Sequence, residues 1–325
     1  MKKTLLFLFA VTSLIACKDG SKETDETSQN DKMADSVATA KTYKLSLAQW
    51  SLNKPIFAGT ADPMDFAKTA SELGYEGLEY VSQLYVNDAV NFPMKNTGLQ
   101  TILDTLKARS ERYGMRNVLI MVDNEGDLSF NDETATQQAV ENHKKWVDAA
   151  EFLGCHSIRV NLFGEEDPDA WVKNSVRSLK ALCAYAAPKN INIIVENHGG
   201  MSSNGSLLTR VMKEVAMTNC GTLPDFGNFC LKREGGERWG APCVEEYDRY
   251  KGLEELIPFA KGVSAKSYAF DANGDETTID YYKMMAIVQN SDFDGFVGIE
   301  FEGPEDDPIP GINATKALVQ KALQQ

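Results

Sequence analysis

Three carboxylates end runs of residues that are otherwise apolar. Glu196 closes Ile193-Ile194-Val195, Asp225 follows Leu223-Pro224, and Glu300 closes Phe296-Val297-Gly298-Ile299. A carboxylate in such a place is costly to bury unless it is paired, protonated or coordinated. Three of them converging on one pocket would repel strongly at low dielectric, so they either share protons or hold a cation. All-oxygen ligation suits a hard divalent ion such as Mn²⁺ or Mg²⁺. The plain alternative is three separately paired structural acids. The stretch Ile191–Gly200, INIIVENHGG, adds Asn197 and His198 directly after Glu196, before two glycines open a loop.

The elements that would bring these groups together repeat at the length of one strand–helix unit. Strands are predicted at Tyr43–Trp50, Gly77–Val81, Met115–Val122, Ser157–Leu162, Ile191–Val195, Thr222–Asp225, Gly262–Tyr268 and Gly295–Phe301. Helical periodicity marks Pro63–Leu73, Leu99–Tyr113, Glu133–Leu153, Trp171–Ala187, Leu207–Met217, Tyr247–Ala260, Thr278–Val288 and Ala314–Leu323. Eight alternating pairs in one domain, residues 43–325, predict a (β/α)8 TIM barrel of the α/β class. An open doubly wound sheet would normally carry a G-x-G-x-x-G turn, and the chain has none. In a barrel the chemistry lies at the C-terminal strand ends. Read in order, these carry Gln49 and Trp50, Glu79, Asp123, Arg159 and Asn161, Glu196 with His198, Asp225 with Asn228, Lys266, and Glu300 with Glu302. Arg159 and Asn161 share one strand face, and Arg159 is a natural partner for Glu196. Glu79 is as well suited to an ion pair at the barrel bottom as to a site. His143 and His156 are assigned to a helix and a strand start, without function.

With VENHGG in the fifth strand, LPDFGNF in the sixth, GVSAKSY in the seventh and GIEFEG in the eighth, joined by LAQWSL and IRVN, the chain resembles the xylose isomerase-like TIM-barrel superfamily, the sugar phosphate isomerase/epimerase group, from about Tyr43 to its end. The resemblance implies one divalent metal held by Glu, Asp, His and Glu, of which Glu196, Asp225 and Glu300 match three. The histidine position falls on Ser264, so a water, Ser264 or a neighbour completes the set, or the site is metal-free. It also implies a metal-assisted isomerase or epimerase of a carbohydrate, with Glu196 and Glu300 removing and returning a proton beside a carbonyl. Lys266 would stabilise the developing oxyanion or act as an acid, or else pair within the carboxylate cluster. His198, Asn161, Arg159, Trp50 and Asn228 are the candidate substrate contacts, and Trp50, Phe57 and Trp239 a candidate apolar wall for a sugar ring. A lyase or dehydratase needs the same first step, and a non-catalytic carbohydrate-binding lipoprotein is the third reading.

The N-terminus speaks to location. Lys2 and Lys3 precede an apolar run too short to span a bilayer, and Leu14-Ile15-Ala16-Cys17 resembles a bacterial lipobox. That resemblance implies a cleaved signal (1–17), lipidation of Cys17 and an exported, lipid-anchored protein of the periplasm or outer membrane. Residues 18–42 read as a polar tether without aromatic residues. A net charge of −14 makes nucleic acid and anionic headgroups poor partners, so only the lipid would hold the chain to a membrane. The related DNA-repair endonucleases need a histidine-rich multi-metal site and a basic surface, whereas this chain has 3 histidines. A homo-oligomer is compatible with the sequence. Of the cysteines after Cys17, Cys155 and Cys183 sit in apolar surroundings, while Cys230 and Cys243 flank a Gly- and Arg-rich loop and would bridge in an exported protein.

Overall fold

The computed structural model describes residues 41–86 and 97–324, so the expected signal segment, Cys17 and nearly all of the tether lie outside the described residues. The strands are β1 (Lys44–Ala48), β2 (Gly77–Val81), β3 (Arg116–Met121), β4 (Ser157–Val160), β5 (Asn192–Glu196), β6 (Cys220–Leu223), β7 (Cys230–Arg233), β8 (Cys243–Glu246), β9 (Val263–Ser267) and β10 (Phe296–Phe301). Eight of them form one parallel sheet in the order β6-β5-β4-β3-β2-β1-β10-β9. The two ends of that order meet through parallel bridges between Thr222 and Ala260 and between Asp225 and Ser264. Three backbone hydrogen bonds line this seam, from Lys261 N–H to Thr222 O, Ser264 N–H to Pro224 O and Phe226 N–H to Ser264 O. The sheet is a closed (β/α)8 barrel, as the strand–helix alternation predicts.

Both faces of these strands are covered, the outer by helices and the inner by the barrel filling, which explains their near-continuous apolar runs. Every residue of β2 and of β9 is buried. The helices start where side chains can take their free N–H groups. Asp132 accepts from Thr134 and Ala135, opening the helix Glu133–Leu153 that the periodicity predicts, and Gly154 ends it at φ 77°. Asp167 does the same ahead of Pro168–Ala186. The helix expected at Thr278 begins instead at Tyr281, because the Glu276 carboxylate holds the N–H groups of Thr278 and Ile279 and Asp280 supplies the cap.

Two departures from expectation bear on the site. The first strand stops at Ala48 and turns into a short 3-10 helix, Gln49–Leu52, so Trp50 lies on a turn. The buried Gln49 amide forces this turn: its oxygen accepts from Val81 N–H and its nitrogen donates to Pro63 O and Tyr85 Oη. The second is the antiparallel pair β7–β8, inserted between β6 and the helix Arg249–Leu256 and closed by the Cys230–Cys243 disulfide. Cys155, Cys183 and Cys220 are buried free thiols. Among the described residues no helix is long and apolar enough to cross a membrane.

Candidate active site

A cavity of about 760 Å³ opens at the C-terminal ends of the strands. Its deep end is set by register. Glu300 on β10 is directly paired with Lys266 on β9, and Ser264, two residues earlier on the same face as Lys266, is bridged to Asp225. Lys266 Nζ therefore stands among carboxylates, 3.1 Å from Glu300 Oε1 and 3.5 Å from both Asp225 Oδ2 and Glu302 Oε1. The second oxygen of Glu300 accepts from Ser264 Oγ at 2.9 Å. Asp225 is fully buried, and its Oδ1 accepts from the N–H groups of Gly227 and Asn228. Asn197 fixes the same corner, accepting from Asp225 N–H and donating to the carbonyls of Asp225 and Asn228.

A second cation serves the other side. Arg159 Nη1 donates to Asp123 Oδ1 at 2.8 Å, and its Nε lies 2.8 Å from Glu196 Oε2. This last contact is an ion pair without hydrogen-bond alignment, since Nε has no satisfied acceptor. Glu196 Oε1 accepts from Asn228 Nδ2 at 2.9 Å. Asn161 donates to Asp123 and pairs with His198 Nδ1 at 2.8 Å, so a polar chain runs from Arg159 to the imidazole. At the mouth the His198 ring lies 4.7 Å from the Trp239 ring, with Phe163 packed against both.

Burial dominates the electrostatics. It raises Glu300, opposed by Lys266 and reinforced by Asp225 and Glu196, and it raises Glu196 against the pull of Arg159. Burial would lower Lys266, but Asp225, Glu300 and Glu302 outweigh it and hold the ammonium well above its ordinary range. Burial and the cations Arg159 and Lys266 push His198 down. The half-buried ring is therefore held as a neutral imidazole. Two carboxyl groups whose hold on a proton is strengthened by burial, beside two fixed cations, suit the movement of a proton next to a developing oxyanion.

The cavity is lined by Glu196, Glu300, Lys266, Arg159, Asn161, His198, Asn228, Trp50 and Trp239. Asp225 and Ser264 stand behind that lining, in contact with it through Lys266 and Glu300. Phe57 does not border the cavity: it packs edge-on against Trp50 from outside. Glu79 is enclosed in the barrel, where its Oε1 accepts from Ser46 Oγ and its carboxylate fills the space a side chain at Gly298 would need. Among the described residues it has no ion-pair partner at the barrel bottom. His143 is buried in its helix and bonded to Ala139 O, and His156 sits beside Ser157. Phe163, Arg233, Arg238 and Tyr268 also line the cavity, and sequence reasoning missed all four. Arg233 ends β7 and Arg238 rides the loop that follows it, whose Gly- and Arg-rich composition was the available signal.

The fold and this mouth define a class: a parallel (β/α)8 barrel with carboxylates and cations gathered at the C-terminal strand ends. The chain matches the family described as xylose isomerase-like TIM barrel over residues 67–322 and belongs to it. Among solved structures, 3-keto-D-glucoside 4-epimerase YcjR from E. coli superposes with a TM-score of 0.62 at 14% identity, over 86% of this chain and 100% of that one. The IOLI protein, solved with a zinc atom, gives 0.65 at 14% identity over 86% and 98%. D-psicose 3-epimerase from Clostridium cellulolyticum H10, solved with D-tagatose, gives 0.61 at 14% identity over 86% and 97%. At such identity these likenesses speak to the fold. No curated protein sequence matches the chain.

The family implies a metal, and the donors test that implication. Among the described residues no group of three or more His, Cys, Asp or Glu side chains is arranged to hold a metal ion. Glu196, Asp225 and Glu300 are brought together as expected, but around Arg159 and Lys266. The expected Mn²⁺ or Mg²⁺ centre does not fit this arrangement, because the Lys266 ammonium stands between Glu300 and the otherwise unbonded Asp225 Oδ2, and the oxygens of Glu196 face Asn228 and Arg159.

Proposed function

We propose that the chain is a carbohydrate isomerase or epimerase that removes a proton beside a carbonyl and returns it through an enediol intermediate. The observation that carries this reading is that Glu196 and Glu300, both buried and both raised by burial, line one cavity together with Lys266 and Arg159. The epimerases among the similar solved structures act on a 3-keto-D-glucoside and on D-psicose, which supports a sugar with a ketone in or beside its ring.

The step balances without any redox partner. A carboxylate takes the proton from the carbon beside the carbonyl. The C–H electron pair becomes the C=C bond of the enediol, and the carbonyl π pair moves onto oxygen, where a cation meets it. Return of a proton to carbon, from the same or the opposite carboxylate, gives back the carbonyl. Trp50 and the neutral His198–Trp239 pair offer the ring its apolar contacts. A lyase shares the first step and differs in the fate of the enediol, which then expels a neighbouring hydroxyl.

A panel of ketoses and 3-keto-glycosides, followed by NMR in D₂O, tests the reading. The expected outcome is deuterium entering one carbon of one substrate. The rate should fall by about 10²- to 10⁴-fold in Glu196→Gln. Loss of water with deuterium uptake would identify a lyase. Saturable binding without exchange across the panel would point to a binding protein. We further propose export and lipidation at Cys17, which the mass of the mature N-terminal peptide checks.

A further inference from the structure

Metal-dependent proton abstraction needs a cation against the substrate oxygens, and the carboxylates here already surround one. Lys266 Nζ contacts Glu300 at 3.1 Å and Asp225 at 3.5 Å, two of the three groups that the family resemblance makes metal ligands. An ion bound at about 2 Å from those oxygens would meet an ammonium already touching both. The third, Glu196, has one oxygen on Asn228 and the other against Arg159. The histidine position is Ser264, whose hydroxyl serves as a donor to Glu300 and not as a ligand. Both oxygens of Glu300 and of Glu196 thus face a cation or a neutral donor, and the remaining oxygen, Asp225 Oδ2, accepts no hydrogen bond but faces the Lys266 ammonium at 3.5 Å.

We infer that Lys266 stands in the place of the metal, and that this barrel carries out its proton transfer with a lysine ammonium as the resident cation. The inference deepens the isomerase reading and rests on it for the chemistry. When Glu196 removes the proton and charge moves to the carbonyl oxygen, Lys266 donates a hydrogen bond to that oxygen, and Arg159 balances the carboxylate system as it gains and loses the proton. The ammonium does not leave, so no loading step precedes turnover. Of the other cations that line the cavity, Arg159 donates to Asp123 and lies against Glu196, and Arg233 and Arg238 belong to the β7–β8 hairpin at the mouth, whereas Lys266 stands at the deep end beside Glu300, where the reacting carbon must lie.

The test titrates Mn²⁺ into chelator-treated full-length protein, following free Mn²⁺ by its electron paramagnetic resonance signal. Wild-type protein is expected to bind none in the pocket at millimolar Mn²⁺. Ser264→His/Lys266→Met, which restores the family's ligand set, is expected to bind one equivalent. One equivalent bound by wild type and lost in Glu300→Gln overturns the inference, as does a folded double variant that binds none. Where the double variant does not fold, the wild-type and Glu300→Gln titrations decide alone. Mn²⁺ that binds equally in Glu300→Gln lies outside the pocket and leaves the expected result standing. Deuterium exchange run in excess EDTA separates this inference from the function. Exchange unchanged within twofold supports both, whereas exchange lost in EDTA and restored by Mn²⁺ overturns the ammonium and keeps the isomerase.

Discussion

The deep end of the cavity and its mouth are held together in different ways. At the deep end, Lys266, Glu300, Ser264 and Asp225 are fixed by the register of neighbouring strands, and each is buried. At the mouth, Trp239 is 47% exposed on a loop between two four-residue strands whose ends are tied by Cys230–Cys243. Arg238 beside it stacks on Phe163 and pairs with the half-buried Asp127. A group that must meet a developing charge needs a fixed position, because misplacement forfeits much of the stabilisation. A group that selects among sugar rings only has to cover a face. On the proposed function, this division would give the reaction to the strands and substrate choice to the hairpin.

Breaking the deep end should cost the most. Lys266→Met leaves Glu300 and Asp225 buried without their cation, an expected loss of about 3–5 kcal/mol together with turnover. Urea denaturation reads the stability, and a variant as stable as wild type would mean that the ammonium does not hold the cluster. A smaller effect, and a control for burial without catalysis, comes from Glu79. Burial, partly offset by the Ser46 hydroxyl, raises its carboxyl to about 7. The native state thus keeps a proton that the unfolded chain gives up near pH 4.5. Stability from this group is present at low pH and is lost as pH rises through that window, by about 3 kcal/mol in total. Denaturation at pH 5 and pH 8 should show that slope in wild type and its flattening in Glu79→Gln. The mouth should give the mildest change. Trp239→Ala removes a ring packed at a tilt against His198, with KM expected to rise roughly three- to tenfold and kcat to stay within twofold. A fall in kcat with KM unchanged would move Trp239 from selection to chemistry and undo the division.

How legible each region is in the sequence follows the same line. The barrel and the convergence of Glu196, Asp225 and Glu300 could be read because buried parallel strands are written as apolar runs, and a carboxylate ending one is conspicuous. β7 and β8 escaped notice because β8 is exposed along its whole length, so neither alternation nor an apolar run marks it. The Gln49 turn was invisible because its cause is an amide buried against Pro63, Tyr85 and Val81, residues that sequence distance does not connect. Lys266 shows the limit most clearly. Its type and strand are plain from the sequence, but whether its ammonium faces an open pocket or sits among three carboxylates depends on how β9 registers with β10 and meets Asp225.

The barrel's seam has a consequence for the order in which activity appears. Of the two bridges that join β6 to β9, the one between Asp225 and Ser264 lies at the floor of the cavity. Closure of the cylinder and assembly of the ammonium's cage are therefore one event. A chain with every strand and helix formed but the seam open would look native by its secondary structure and be chemically silent. On the isomerase reading, turnover then serves as a gauge of closure, expected to return during refolding only once the backbone bonds between β6 and β9 are made.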